Sequence, residues 1–195
     1  MELLRGGNSM FAMLNRVPDQ VRWNVIRGGE PFSLESVAGE GSGIECRAVA
    51  LSSRHPAYAA GHRPAATPSG EAVLGLILTA PSGAKVGFFP QVPALTAELR
   101  SLWASLDCLL LDGTFWCDDE LIQLQGSGQS ARDMGHVPVG GEDGSLHQLG
   151  GLTRPRRMYI HINNTNPMLN EAGAEFHAVR AAGWELAEDG CHLTF

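Results

Sequence analysis

Basic residues are scarce in this chain. Fourteen Lys and Arg stand against twenty-one Asp and Glu, for a formal charge of −7. A surface of that sign repels a phosphate backbone and argues against nucleic acid as a partner. The cluster Arg154, Arg156 and Arg157 and the isolated Arg63 are too sparse for a basic groove, and the cluster reads as solvated charge flanking a strand. Long apolar runs are also missing. No stretch approaches the length of a bilayer span, and Met1-Glu2-Leu3-Leu4-Arg5 lacks the plan of an export signal, so the expectation is a cytoplasmic protein without membrane insertion. Cysteine is limited to Cys46, Cys108, Cys117 and Cys191, which are dispersed and form no Cys-x-x-Cys, so reduced thiols are expected. Cys108, inside Leu106-Asp107-Cys108-Leu109-Leu110, reads as a small buried hydrophobe. Cys117, between Trp116 and Asp118-Asp119, stays open between packing and chemistry.

What remains is enough for a core. A chain of 195 residues with 44% hydrophobic content fits one domain, residues 1–195. Residues 8–16 read as a short helix ended by Pro18. Strand-like pieces follow: Val21–Ile26, then Ile44–Leu51, whose alternation suggests a sheet with one wet face. Val73–Leu78 pairs with Lys85–Phe89 across Pro81-Ser82-Gly83-Ala84 as a hairpin. Residues 52–71, rich in Ser, His, Pro and Gly, are too polar for core and read as a long surface loop. After Pro93, Leu95, Leu99, Leu102, Trp103 and Leu106 recur at helical spacing and deliver the chain into a Leu109–Leu111 strand. Short helices are expected over 119–124 and 172–182, the latter before a terminal strand. No internal repeat is evident, and neither the 52–71 loop nor the Gly140–Gly144 neighbourhood is low-complexity enough to be disordered.

Three segments carry candidate chemistry. Residues 159–167, Tyr159-Ile160-His161-Ile162-Asn163-Asn164-Thr165-Asn166-Pro167, read as a short strand giving way to amides and a proline. That places His161 near a strand's carboxyl end, where open α/β sheets bind ligands; the alternative is a structural histidine tying down a turn. Leu109-Leu110-Leu111-Asp112-Gly113-Thr114-Phe115-Trp116 is an apolar strand ending in a carboxylate. Ala131-Arg132-Asp133-Met134-Gly135-His136 sets a histidine on a glycine turn. A carboxylate bonded to one ring nitrogen fixes the tautomer and raises the basicity of the other, so Asp112 with His136 can relay a proton. Otherwise Asp112 caps the turn at Gly113 and His136 bonds backbone. His55 and His62 bracket Pro56-Ala57-Tyr58 on the long loop at a spacing unsuited to a helix-face ligand pair. His147, His177 and His192 read as surface or packing residues.

Order and wording of these motifs resemble a known family. A strand ending in an acidic residue with Gly-Thr-Phe, a Gly-His turn and a strand ending in His resemble the C-terminal half of the metallo-β-lactamase superfamily. The phrases DGTFW-x-DDE, AR-x-MGH and HINNTNP are similar to those of the pyrroloquinoline quinone (PQQ) biosynthesis protein B family, and residues 183–190 fit that family's ending. The fold implied is α/β, a metallo-β-lactamase-like αββα sandwich, here expected to be incomplete at its N-terminus. Members are longer, and their first third carries a Cys-rich zinc motif and an Asp-His pair that supplies metal ligands. This sequence contains no Asp-His dipeptide, so it is expected to be a fragment, a truncated gene or half of a split product.

The resemblance also implies roles. His161 matches the superfamily's final metal-ligand histidine, and Asp112 with His136 matches its strand-end acid and relay histidine as catalytic residues. In a complete member, one carboxylate and two histidines would hold Fe2+, or Zn2+, and this chain retains one such matched ligand, too few to keep an ion through desalting. Asn163, Asn164 and Asn166 orient His161 or meet a substrate carboxylate. His62 and Arg63, with Tyr58, lie on a loop placed to recognise an acidic substrate. The activity implied is oxygen- and iron-dependent hydroxylation of the tyrosine-derived ring of the PQQ precursor. The competing reading is a non-catalytic carrier assisting PQQ or its precursor toward the periplasm. A hydrolase of the wider superfamily loses ground because Phe88-Phe89-Pro90-Gln91 stands where those enzymes put a metal-bridging aspartate. Expected partners are the small-molecule precursor or PQQ, and either a homodimer partner or a missing N-terminal segment.

Overall fold

The computed structural model describes residues 24–36, 38–54 and 71–194. The helix expected over 8–16 and most of the 52–71 loop, with His55, Tyr58, His62 and Arg63, lie outside these described residues.

Among the described residues, seven strands form one mixed sheet whose spatial order is the chain order. They are β1 (Pro31–Glu35), β2 (Gly41–Ser52), β3 (Val73–Thr79), β4 (Lys85–Phe89), β5 (Cys108–Asp112), β6 (Arg156–Ile160) and β7 (Glu185–Leu186). The first four pair antiparallel. From β4 to β7 every pairing is parallel. The switch has a chemical cause: Ala80 N–H bonds Ala84 O at 2.9 Å and Gly83, at φ 86°, closes a tight turn between β3 and β4. After Pro93 no such turn is available, and helix α1 (Ala97–Trp103) carries the chain back to begin β5 beside β4. Thr96 caps α1 by accepting the Leu99 N–H at 3.3 Å.

Alternation decides which face is covered. In β2, Cys46 and Ala48 are buried while Glu45 and Arg47 are exposed, the alternation expected. Arg47 is paired with Ile77 and Cys46 with Leu78, so the buried pair lies on the face opposite Ile77, and β5 is buried on both faces rather than having one wet face. Ile77, Phe89, Leu109, Leu111 and Tyr159 share the core with Leu99 and Trp103 of α1, Val179 of α4 (Ala174–Ala181) and Trp184. The Phe89 ring meets Trp103 edge-on at 5.3 Å, and Tyr159 stacks on Trp184 at 4.3 Å. Phe89 lies across Gly75, where an added Cβ would come 2.2 Å from its ring, and across Gly87. Two short helices, α2 (Glu120–Gln125) and α3 (Ser145–Gln148), lie in the long β5–β6 connection. Among the described residues this is one sheet with one helical layer, an α/β arrangement corresponding to half of a four-layer sandwich.

Two strand expectations shift. Residues 24–26, the described part of the strand expected over 21–26, have no regular structure, and Gly28 makes only an isolated bridge to Ala48. The strand read from Tyr159 begins at Arg156 and stops before His161. Its arginines are paired rather than merely solvated. Arg156 forks onto Glu185 of β7 at 2.7 and 2.8 Å, Arg157 lies over the Trp184 ring at 5.4 Å, and Arg154 reaches Asp107 at 3.6 Å. Charge on that rim is compatible with pairing to β5 and β7, which propensity alone does not reveal. Cys46, Cys108, Cys117 and Cys191 are free thiols, and Cys108 is fully buried, as expected.

Gly75→Ala should cost about 1–3 kcal/mol by driving a methyl group into Phe89. Gly151→Ala, with open space around it, should stay within about 0.5 kcal/mol. Urea unfolding midpoints of the two variants measure the difference.

Candidate metal centre

Parallel strands put their carboxyl ends on one edge of the sheet, and at a βα junction that edge is free for ligands. Here β4 runs out into Gln91-Val92, β5 ends on Asp112, and His161 directly follows β6. Asp112 is 2% exposed, a burial that demands partners for both carboxylate oxygens. Val92 N–H and His136 Nδ1 reach Oδ2 at 2.9 and 2.8 Å. Thr114 N–H and Oγ1 reach Oδ1 at 3.1 and 2.6 Å. Four donors from three chain segments therefore close on one side chain. His136 gets there because Gly135, at φ 88°, turns the chain, and Val137 N–H is tied to Val92 O at 2.9 Å.

Thr114 is the hub. Its hydroxyl donates to Asp112 and lies 2.8 Å from His161 Nδ1 and 3.1 Å from His136 Nδ1. The consistent assignment has His136 Nδ1–H donating to Asp112 and His161 Nδ1–H donating to Thr114 Oγ1, which leaves a lone pair on each Nε2. The imidazoles stack with centroids 5.5 Å apart and planes 24° from parallel, and Phe115 meets His136 edge-on. His161 is the one non-glycine residue at positive φ among the described residues, at 56°. That left-handed backbone is disfavoured for a side chain with a Cβ and is held by contacts on both sides. Gly113 N–H bonds Ile160 O at 2.9 Å, and Asn163 N–H bonds Thr114 O at 3.1 Å.

The supporting layer combines Asn163 and Asn166, which the sequence pointed to, with Glu120, Thr165 and Gln91, whose bonds it did not disclose. Asn166, 2% exposed, donates to Gly113 O at 3.0 Å and accepts Met168 N–H at 3.0 Å, stitching the β6 loop to the β5 loop. Glu120, 5% exposed, accepts Trp116 N–H at 2.6 Å and the Thr165 hydroxyl at 2.5 Å. Thr165 in turn accepts Asn163 Nδ2 at 2.6 Å, so that amide is committed to the loop, whereas Asn164 is exposed. Gln91 donates to Met134 O at 3.0 Å and steadies the glycine turn. The legible signal was the Asn-Asn-Thr-Asn-Pro string, whose turn chemistry predicts loop bonds without saying to what. Of the candidate residues, Asp112, His136 and His161 come together, Asn163 and Asn164 lie on the adjoining loop, and His62 and Arg63 lie outside the described residues. Cys117 stands apart from the cluster's bonds. Burial, then its hydrogen bond to Asp119 and the charges of Asp119 and Glu120, pushes its thiol up to about 11.

One ligand atom from each of Asp112, His136 and His161 lies within 4.8 Å of the other two. Two imidazoles and a carboxylate form a donor set that suits Zn2+ or Fe2+. Since four donors already saturate Asp112, the nitrogens free to ligate are the two Nε2 atoms, with Asp112 and Thr114 acting as the outer partners that orient metal-bound histidines. The residues fit a metal ion, and two nitrogens alone fall short of a closed four-ligand site.

A family model described as Beta-lactamase superfamily domain matches residues 1–162. The protein named Coenzyme PQQ synthesis protein B of Methylobacillus flagellatus is 36% identical over 191 residues, 97% of this chain and 61% of that protein. Its namesake from Bradyrhizobium diazoefficiens is 35% identical over 193 residues, covering 95% of this chain and 60% of that one. The crystal structure of Zn2+-bound PqqB from Methylobacterium extorquens matches with a TM-score of 0.78 at 29% identity, over 96% of this chain and 60% of that one. The chain thus spans 60–61% of the length of these relatives. The family resemblance carried by the three motifs and the metallo-β-lactamase-like fold are both shown by these matches.

Two outcomes follow for the supporting residues. At pH 8 a thiol titrating near 11 is almost wholly protonated, so Cys117 should alkylate roughly a hundredfold more slowly than an ordinary cysteine and gain about tenfold per pH unit up to pH 10; mass-resolved iodoacetamide labelling reads this. Glu120→Ala leaves Trp116 N–H and the Thr165 hydroxyl unpaired and should cost about 1–3 kcal/mol in denaturant unfolding.

Proposed function

The chain belongs to the β-lactamase superfamily, and we propose that it acts in coenzyme PQQ biosynthesis as a metal-dependent protein, in line with the names of its relatives. The observation that carries this reading is the Asp112–Thr114–His136–His161 network at the carboxyl ends of β5 and β6. The finer proposal is oxygen-dependent hydroxylation of the tyrosine-derived ring of the PQQ precursor. When bound, ferrous iron supplies the redox chemistry with dioxygen that such a reaction needs, whereas zinc supplies Lewis acidity alone.

The chain's own residues have definable parts in this. Asp112 holds the His136 tautomer that leaves a lone pair on Nε2. The Thr114 hydroxyl connects His161 Nδ1 to Asp112 Oδ1, so a proton leaving the imidazole has a continuous path at 2.8 and then 2.6 Å. Phe115, nearly fully buried and edge-on to the His136 ring, keeps water from competing for these bonds. The strained His161 backbone aims one ring outward, where a substrate can approach, while His136 remains buried.

Zn2+ and Fe2+ affinity, read by competition with a chromophoric chelator, tests the reading. His161→Ala should weaken binding by more than tenfold. Thr114→Val, which removes the acceptor for His161 Nδ1–H, should weaken it about 10–100-fold, while Thr114→Ser stays near wild type. Asp112→Asn, which sets an amide N–H against donors that need an acceptor, should weaken metal binding to a degree similar to Thr114→Val and slow turnover of the precursor, followed as gain of one oxygen by mass spectrometry. A wild-type chain with no measurable affinity for either ion would overturn the metal-dependent reading. Bound precursor that never gains oxygen in the presence of iron would favour the carrier.

A further inference from the structure

A crevice of about 320 Å³ opens between the β4 exit and the chain that follows His136. Its walls include Pro93, Arg100, Arg132, Val137, Asp143 and Gln148. Two of these are backbone neighbours of the site. Val137 follows His136, and Pro93 follows Val92, whose N–H is bonded to Asp112.

We propose that this crevice binds the carboxylates of a small organic anion through Arg100 and Arg132. Neither guanidinium has a carboxylate within ion-pair distance among the described residues, although the chain carries a net charge of −7 and other arginines on its surface are paired, as Arg154 is to Asp107 and Arg156 to Glu185. Arg100 is held in place rather than left free. It donates to Gln148 O at 3.3 Å and to Gln148 Oε1 at 2.8 Å, and Gln148 is itself anchored through Glu142 O at 2.8 Å. Its Nε is buried and has no acceptor. A guanidinium offers five donors, and the bonds to Gln148 leave one hydrogen on each of Nη1 and Nη2, so a pre-oriented Arg100 beside an exposed Arg132 can meet a second acceptor. Holding a guanidinium in register before the ligand arrives lowers the ordering cost of binding. Asp143 is the single acidic side chain on the wall, so the balance is one net positive charge. The volume is at the small end of ligand pockets and fits a compact multi-carboxylate molecule rather than a peptide segment. Its service as the anchor for the metal centre's substrate rests on the function proposed above; anion binding itself does not.

The test is isothermal titration of the full chain at low salt with two probes, benzene-1,2,4-tricarboxylate and PQQ. Both should bind one to one and weaken as salt is added. Arg132→Gln should weaken each about tenfold or more, consistent with loss of a charge-assisted bond. Arg100→Lys, which keeps the charge but not the fork, should weaken binding by a smaller factor. Asp143→Asn should tighten it, and Arg154→Gln, a charge-matched control away from the crevice, should change nothing. Arginine-dependent binding of the tricarboxylate without binding of PQQ would uphold the anion site and count against a PQQ-related function. PQQ binding indifferent to both arginine substitutions would overturn the crevice and leave the function standing. Absence of binding by either probe would overturn the proposal.

Discussion

A carboxylate buried at the end of a strand must be satisfied or neutralised, and the candidate site is organised around satisfying Asp112. An ionised carboxyl group without partners would cost more than a typical domain can spare. Its four donors come from the β4 exit, the residue two places on, and a glycine turn more than twenty residues downstream. The four donors belong to three excursions of the chain, so meeting the demand of one side chain fixes where three loops stand relative to the sheet. Thr114 extends the constraint to a fourth, because the hydroxyl that donates to Asp112 also sets the His161 ring.

Around this centre the loops are held by polar side chains more than by apolar packing. Asn166 and Glu120 are buried and fully engaged, and each ties the β5 exit to the β6 exit. Buried networks of this kind are costly when half made and rigid when complete. The sheet and the Phe89–Trp103 and Tyr159–Trp184 contacts provide the stiff frame from which the loops project. The two imidazoles thus gain a defined separation without lying on secondary structure.

Much of this could be read from the residues, for identifiable reasons. The β3–β4 hairpin and α1 follow from period-two and helical patterns, and β5 from a continuous apolar run that is buried on both faces. Asp112 and His161 stood out because a charged or imidazole side chain at the end of an apolar run contradicts packing, and His136 because a glycine turn sets it down within the same ordered series of motifs. Thr114, Glu120 and Gln91 did not stand out, because their importance lies in long-range bonds: Thr114 is only two residues from Asp112 but forty-seven from His161. The early start of β6 was hidden by Arg156 and Arg157, whose partners, Glu185 and Trp184, lie near the end of the chain. The Arg100–Gln148 bond, like them, is invisible to any local pattern.

Because the strands lie in the sheet in the order they occur in the chain, each new strand finds its neighbour already made. During synthesis such a sheet extends at one edge and need not reopen to admit a later strand, which spares it the slow insertions that trap chains of more tangled connectivity. The two halves of the site, however, mature at different moments. Asp112 acquires all four of its donors once His136 has been made, whereas His161 takes its place only after β6 has zipped onto β5. The carboxylate is therefore safely housed before the last imidazole exists, and the growing chain carries no naked buried charge while it waits.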